Sequence, residues 1–106
     1  MSNPTTNGSP TPVQRAFRLI FAMQGQAFSG LRLKQLADAL QATPSTVLRD
    51  LEALADEGVV ERIPGRDEYW RLTPRLIQLA LAHEQELVRL RARLDETEQR
   101  YSRIPS

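Results

Sequence analysis

Apolar residues along the chain repeat with a helical period, switch to a strand period, and then return to a helical one. Val13, Phe17, Ile20 and Phe21 fall on one helical stripe, which predicts a first helix with its core face there. Thr11 precedes that stripe as an N-cap, Pro12 takes the first helical position, and Gly25 closes the segment. Residues 26–30 read as a loop. Leu33, Leu36, Ala37 and Leu40 then repeat at i, i+3, i+4 and i+7, giving a second helix over 33–40 with Arg32, a poor cap, at its N-cap. Gln41-Ala42-Thr43 is a tight turn. Thr43 caps a third helix, Pro44 opens it, Val47, Leu51, Leu54 and Ala55 face inward, and Gly58 ends it. The period now shortens to two. Residues 59–63 and 68–72 read as short strands joined by Pro64-Gly65-Arg66-Asp67, with Val60, Trp70 and Leu72 inward and Tyr69 and Arg71 outward. Such a hairpin is marginal alone and must lean on the helices.

From Pro74 to about Tyr101 nothing breaks a helix. At 1.5 Å per residue it extends about 40 Å. Its first turns, with Leu76, Ile77, Leu79, Ala80 and Leu81, are apolar almost all round and are expected to pack back on the preceding domain. Beyond them the apolar stripe narrows to a coiled-coil seam. Ala80, Leu87, Leu94 and Tyr101 take the a positions, and His83, Leu90, Thr97 and Ile104 take d. The flanking positions then pair Glu86 with Arg91 and Arg93 with Glu98 between two parallel chains, and both pairs are attractive. Glu96 and Arg100 add an i, i+4 pair within one chain. The expectation is a homodimer through Ala80, His83, Leu87, Leu90, Leu94 and Tyr101. A monomer or an antiparallel bundle is the competing outcome.

The whole therefore reads as a mostly α chain with a small β-hairpin: a winged helix-turn-helix followed by a long C-terminal dimerisation helix. The expected divisions are a disordered tail over 1–11, where Pro, Thr, Ser, Asn and Gly leave no apolar residue after Met1, a winged helix-turn-helix over 12–73, and a coiled-coil segment over 74–104.

That order places the third helix in the major groove of double-stranded DNA. Thr43, Ser45 and Thr46 on its first turn offer hydroxyls to phosphates or bases. Arg49 can reach both acceptors of a guanine, and Leu48 can meet a thymine methyl. In the wing, Arg62 and Arg66 flank the hairpin tip, although Arg66 can equally pair with Asp67 or Glu68. Lys34, Arg15 and Arg18 are candidate backbone contacts. The plainer alternative for Ser45 and Thr46 is that they only cap a helix.

Composition narrows the classes. The chain has 106 residues and a net charge of +1. Yet residues 1–49 carry Arg15, Arg18, Arg32, Lys34 and Arg49 against Asp38 alone, a local excess suited to phosphate. Cysteine is absent, which excludes disulfide and thiol chemistry. No apolar run reaches the roughly 20 residues of a membrane span, and no signal pattern opens the chain, so a cytoplasmic protein of bacterial or phage origin is expected. His83 stands alone, without spaced ligands for a metal. No phosphate loop, nucleophile elbow or paired carboxylates appear, so neither catalysis nor a cofactor is expected.

Residues 12–82 resemble the N-terminal DNA-binding domain of IclR-type transcriptional regulators. The resemblance rests on Leu31-x-Leu33-x-x-Leu36-Ala37, on Ser45-Thr46-Val47 with Arg49, on Gly58-Val59-Val60-Glu61-Arg62, and above all on Trp70-Arg71-Leu72-Thr73-Pro74-Arg75-Leu76. Thr46 to Leu51 is also similar to the recognition helix of DeoR-type repressors. The resemblance implies a dimer that reads two half-sites of an inverted repeat through Ser45, Thr46, Leu48 and Arg49. It departs from the family in lacking the large effector domain, so control by a small molecule is not expected. Two other classes fit the same pattern. One is a phage DNA-packaging or nucleoprotein-assembly protein of the small-terminase kind. The other is a winged-helix adaptor that binds protein.

Overall fold

A computed structural model describes residues 9–26 and 28–103. Most of the expected tail and the Ile104 seam position lie outside these residues. The order of elements is α1 (Pro12–Ala22), β1 (Leu31–Arg32), α2 (Leu33–Leu40), α3 (Pro44–Asp56), β2 (Val60–Ile63), β3 (Arg66–Leu72) and α4 (Pro74–Ser102). The chain divides into two compact units, 1–75 and 76–106.

Each helix of the first unit starts where local chemistry satisfies its free N–H groups. Thr11 Oγ1 accepts from the Gln14 backbone N at 3.1 Å, and Gln14 Oε1 accepts from the Thr11 N at 2.9 Å, a reciprocal capping box. At α2 the N-cap is Arg32, as expected, and its side chain makes no cap bond. Gln35 Oε1 compensates by accepting from the Arg32 N at 2.8 Å. Thr43 Oγ1 accepts from the Thr46 N at 3.3 Å and opens α3. The turn between α2 and α3 closes on Gln41 in the left-handed region, φ 53°. Glycine is the usual occupant of that conformation.

The core is small. Leu19 and Met23 of the α1 segment, Leu36 and Ala37 of α2, Val47 and Leu51 of α3, and Val60 and Trp70 of the sheet form one buried cluster. This corrects the expected core face of α1. Val13, Phe17 and Phe21 are 67 %, 55 % and 65 % exposed, while Leu19 and Met23 are fully buried. Burial of Leu19 and Met23 sets this rotation, and an ion pair lies on the same side. Arg15 reaches inward to Asp50 on α3, at 2.6 Å from Nε to Oδ2 and 3.2 Å from Nη2 to Oδ1. Arg15, Leu19, Ala22 and Met23 share one helical face, and turning that face inward leaves Phe17 and Phe21 outside.

The wing is larger than the expected hairpin. β1 adds a third strand, and the sheet order is β1-β3-β2, all antiparallel. Leu31 pairs with Trp70 and Arg32 with Tyr69. Gly30 permits this docking, because a Cβ there would stand 2.7 Å from both the Trp70 carbonyl oxygen and Ile63 Cδ1. Val60 and Trp70 are buried as expected, and Leu72 packs partly against them.

The second unit is the bulk of α4, one unbroken helix ending at Ser102. No described residue of α4 is buried. Ile77, Leu79 and Leu81, expected to be covered, are 51 %, 69 % and 53 % exposed. Ala80 and His83 are also exposed, as are the seam residues Leu90, Leu94 and Tyr101, and Leu87 is half-covered.

Candidate nucleic-acid interface

Helix α3 is held from beneath and left open at its leading end. Val47, Asp50 and Leu51 are buried on its inner face. The Arg15 fork grips Asp50, and Arg15 Nη1 also donates to the Pro10 carbonyl at 3.1 Å. The bonded carboxylate raises the pKa of Arg15 above its ordinary value, against the opposing effect of burial. Arg15 is thus an internal clamp, which corrects its reading as a backbone contact for DNA. Its carboxylate partner, Asp50, is invisible to a pattern search because it occupies a core position that periodicity assigns to an apolar side chain.

On the open end the candidate residues divide into two groups. Thr43, Ser45 and Thr46 form a hydroxyl cluster in which Thr43 Oγ1 lies 3.0 Å from Thr46 Oγ1 and 3.4 Å from Ser45 Oγ. Thr43 and Thr46 line a small hollow of about 240 Å³ with Arg18 and the Arg15 clamp. The Thr43 hydroxyl caps the helix and donates to Thr46 Oγ1, while Ser45 stays exposed. Arg49 is exposed on the next turn and forms no ion pair among the described residues.

Lys34, Leu48 and Arg62 meet elsewhere, around a groove of about 670 Å³ between α2, α3 and the wing. Leu33, Pro44 and Trp70 supply apolar lining, and Arg32, Asp38, Asp67 and Glu68 complete it. Leu48 is half-buried and packs partly on the core, so only part of its side chain faces the groove. Arg62 does not extend freely. Its guanidinium lies 4.5 Å from the Trp70 ring centroid, and Nη1 donates to the Asp67 carbonyl at 2.8 Å. Arg66 sits outside this groove, 3.9 Å from the Tyr69 ring centroid. Neither Asp67 nor Glu68 pairs with Arg66, and Glu68 instead approaches Arg32 at 3.6 Å. Sequence reasoning missed Arg32 because its place depends on β1 joining the sheet, and Trp70 because strand alternation assigned it to the core.

The pattern of the IclR helix-turn-helix domain matches residues 12–64, half of the chain, from α1 through β2. The chain belongs to the IclR helix-turn-helix domain family. Solved structures share the winged-helix fold. MepR, the Staphylococcus aureus regulator of the multidrug efflux pump MepA, aligns with a TM-score of 0.50 and 25 % identity, over 83 % of this chain and 70 % of its own. The Zα domain of Cyprinid herpesvirus 3 ORF112, solved for its binding to Z-DNA, aligns with a TM-score of 0.53 and 22 % identity, over 60 % of this chain and all of its own. The likeness to the Zα domain is one of fold. A riboflavin kinase of Thermococcus kodakarensis is 46 % identical over 46 residues, which are 42 % of this chain and 22 % of the kinase. The chain thus spans about a fifth of that relative.

The IclR-type domain places the chain in a winged-helix family of DNA-binding transcription regulators. Among the described residues there is no cluster of three or more metal-ligating side chains, and no helix is long and apolar enough to cross a membrane.

Proposed function

We propose that this IclR-type chain is a sequence-specific transcription regulator that binds double-stranded DNA as a homodimer, through α3 and the wing, at an inverted-repeat operator. One observation carries the reading. α3 is clamped on its inner face by the Arg15–Asp50 pair, while its outer face offers an exposed Ser45 and an unpaired Arg49, and its Pro44 and Leu48 border a groove that Lys34 and Arg62 also line. A helix anchored from behind and open in front suits insertion into a major groove. Arg49 would read a base edge, and Lys34 and Arg62 would meet phosphates.

The homodimer reading is supported by the row of exposed apolar residues on α4, Leu90, Leu94 and Tyr101. A second copy related by a two-fold axis would cover them and present two copies of α3, which is why an inverted repeat is expected.

Selection of bound duplexes from a random pool tests both parts. An enriched inverted repeat supports the reading. Enrichment of a single half-site retains sequence-specific binding and removes the dimer. Absence of any enrichment, or a ring of many subunits in solution, shifts the function to nucleoprotein assembly. Absence of any DNA binding that weakens with salt leaves a protein adaptor.

A further inference from the structure

The sheet carries a cationic cluster separate from the recognition helix. Tyr69 on β3 stands opposite Arg32 on β1, and strand alternation sends it to the face away from the buried Trp70. The Arg32 guanidinium lies 5.5 Å from the Tyr69 ring centroid, and that of Arg66 lies 3.9 Å from it. Both are within cation–π reach of one ring. Asp38 and Asp67 line the adjoining groove with Arg32, yet among the described residues the two guanidinium groups share a single ion pair. Glu68 approaches Arg32 at 3.6 Å with both side chains largely in solvent, and no ion pair forms at Arg66 among the described residues.

Two guanidinium groups gathered at one ring repel each other, and stacking on the ring leaves N–H edges free for an acceptor. An anion placed between them offsets the repulsion and takes up those donors. A phosphate matches that demand in charge and in geometry. Arg32 also lines the groove between the wing and α3, so this cluster is continuous with the interface described above. The lowered pKa of Tyr69, caused first by Arg32 and then by Arg66, is consistent with a positive potential at the ring.

We propose that Arg32, Tyr69 and Arg66 form a phosphate-binding platform. Tyr69 is the positioning residue that holds the two guanidinium forks, and the phosphate belongs to the DNA backbone flanking the stretch read by α3. The DNA assignment rests on the function proposed above. The phosphate site itself does not, because free phosphate has the same chemistry.

The test uses the full chain and a duplex selected from the random pool, in two lengths. One covers only the enriched stretch, and the other adds a full helical turn on each side. Arg66→Ala, at the exposed wing tip, is expected to weaken binding to the long duplex by about fivefold and to lower the salt slope by about one phosphate contact. Binding to the short duplex and base preference should not change. Tyr69→Leu should reproduce that loss, Tyr69→Phe should retain most of the affinity, and Tyr69→Leu combined with Arg66→Ala should weaken binding less than the product of the two single effects. Equal losses on both lengths, or no loss with Arg66→Ala, would overturn the platform.

If the unmodified chain binds neither duplex, the proposed function fails first. Titration with inorganic phosphate, followed through the near-ultraviolet absorbance of Tyr69, then decides the site alone. A saturable shift that Arg66→Ala removes upholds it with free phosphate as ligand, and no shift overturns it.

Discussion

At the scale of single residues, three side chains carry most of the consequences. Asp50 is a buried carboxylate whose partner comes from another helix. Asp50→Ala would strand the Arg15 cation, and the thermal midpoint is expected to fall by about 10 °C. Adding Arg15→Met should recover part of that loss in calorimetry, since removing both charges costs less than removing one. Arg49 has the opposite character. It supports nothing in the fold, so Arg49→Ala should leave the midpoint unchanged while costing about 1–3 kcal/mol on the selected duplex and relaxing one base position. Tyr69 has a pKa below its ordinary value of 10.0 because of Arg32 and Arg66. A depressed folded-state pKa favours the phenolate in the fold, so its contribution to stability appears as pH rises through the folded value toward the unfolded one and is absent below it. The difference in stability between the unmodified chain and Tyr69→Phe should therefore grow with pH just below 10.0, as read by denaturant titration across that window. The exposed position of Arg49 was legible from its spacing along the third helix. Arg15 and Asp50 were not, because a charged residue on a core face is recognised only when its partner is in place.

At the scale of elements, local chemistry fixed the helix starts, and tertiary docking fixed their rotation. Thr11-Pro12 and Thr43-Pro44 mark the beginnings of α1 and α3 in the sequence and begin them in the structure. The rotation of α1 was ambiguous, since Val13-Phe17-Phe21 and Leu19-Met23 are both helically spaced. β1 had no signal of its own. Two residues hold no readable period, and they become a strand only because β3 supplies an edge. Gly30 is the entry to that edge. Gly30→Ala combines a positive φ of 77° with a close approach to the Trp70 backbone and should destabilise by about 1–3 kcal/mol. Gly65→Ala has a similar φ of 80° and open space around it, so its midpoint loss should be clearly smaller in parallel melts. Equal losses would show that the sheet edge yields at no cost.

At the scale of the whole molecule, the helix-turn-helix unit is self-sufficient in its core, and α4 is not. Every buried apolar residue among those described lies within residues 19–70, while α4 shows Leu90, Leu94 and Tyr101 to solvent. Replacing Leu87, Leu90 and Leu94 by polar residues should produce monomers in sedimentation without lowering the helix-turn-helix midpoint. A dimer that survives would place the interface elsewhere, with the exposed Phe17 and Phe21 of α1 the next surface to probe. The coiled-coil spacing of α4 was plain in the sequence because a seam is a one-dimensional pattern. What covers that seam depends on neighbours in space, which spacing along the chain does not specify.

What the sequence determined alone was everything that depends on neighbours along the chain: the caps, the turn chemistry, the order of helices and wing, the unbroken length of α4, and the positions that can face outward on α3. The tertiary structure decided everything that depends on neighbours in space. It chose which stripe of α1 is core, gave β1 a partner, set an Arg–Asp pair behind α3, and gathered Arg32 and Arg66 at Tyr69. The division is physical, because hydrogen bonds within a turn are set by adjacent residues, whereas burial and ion pairing are set by whichever surfaces the fold brings together.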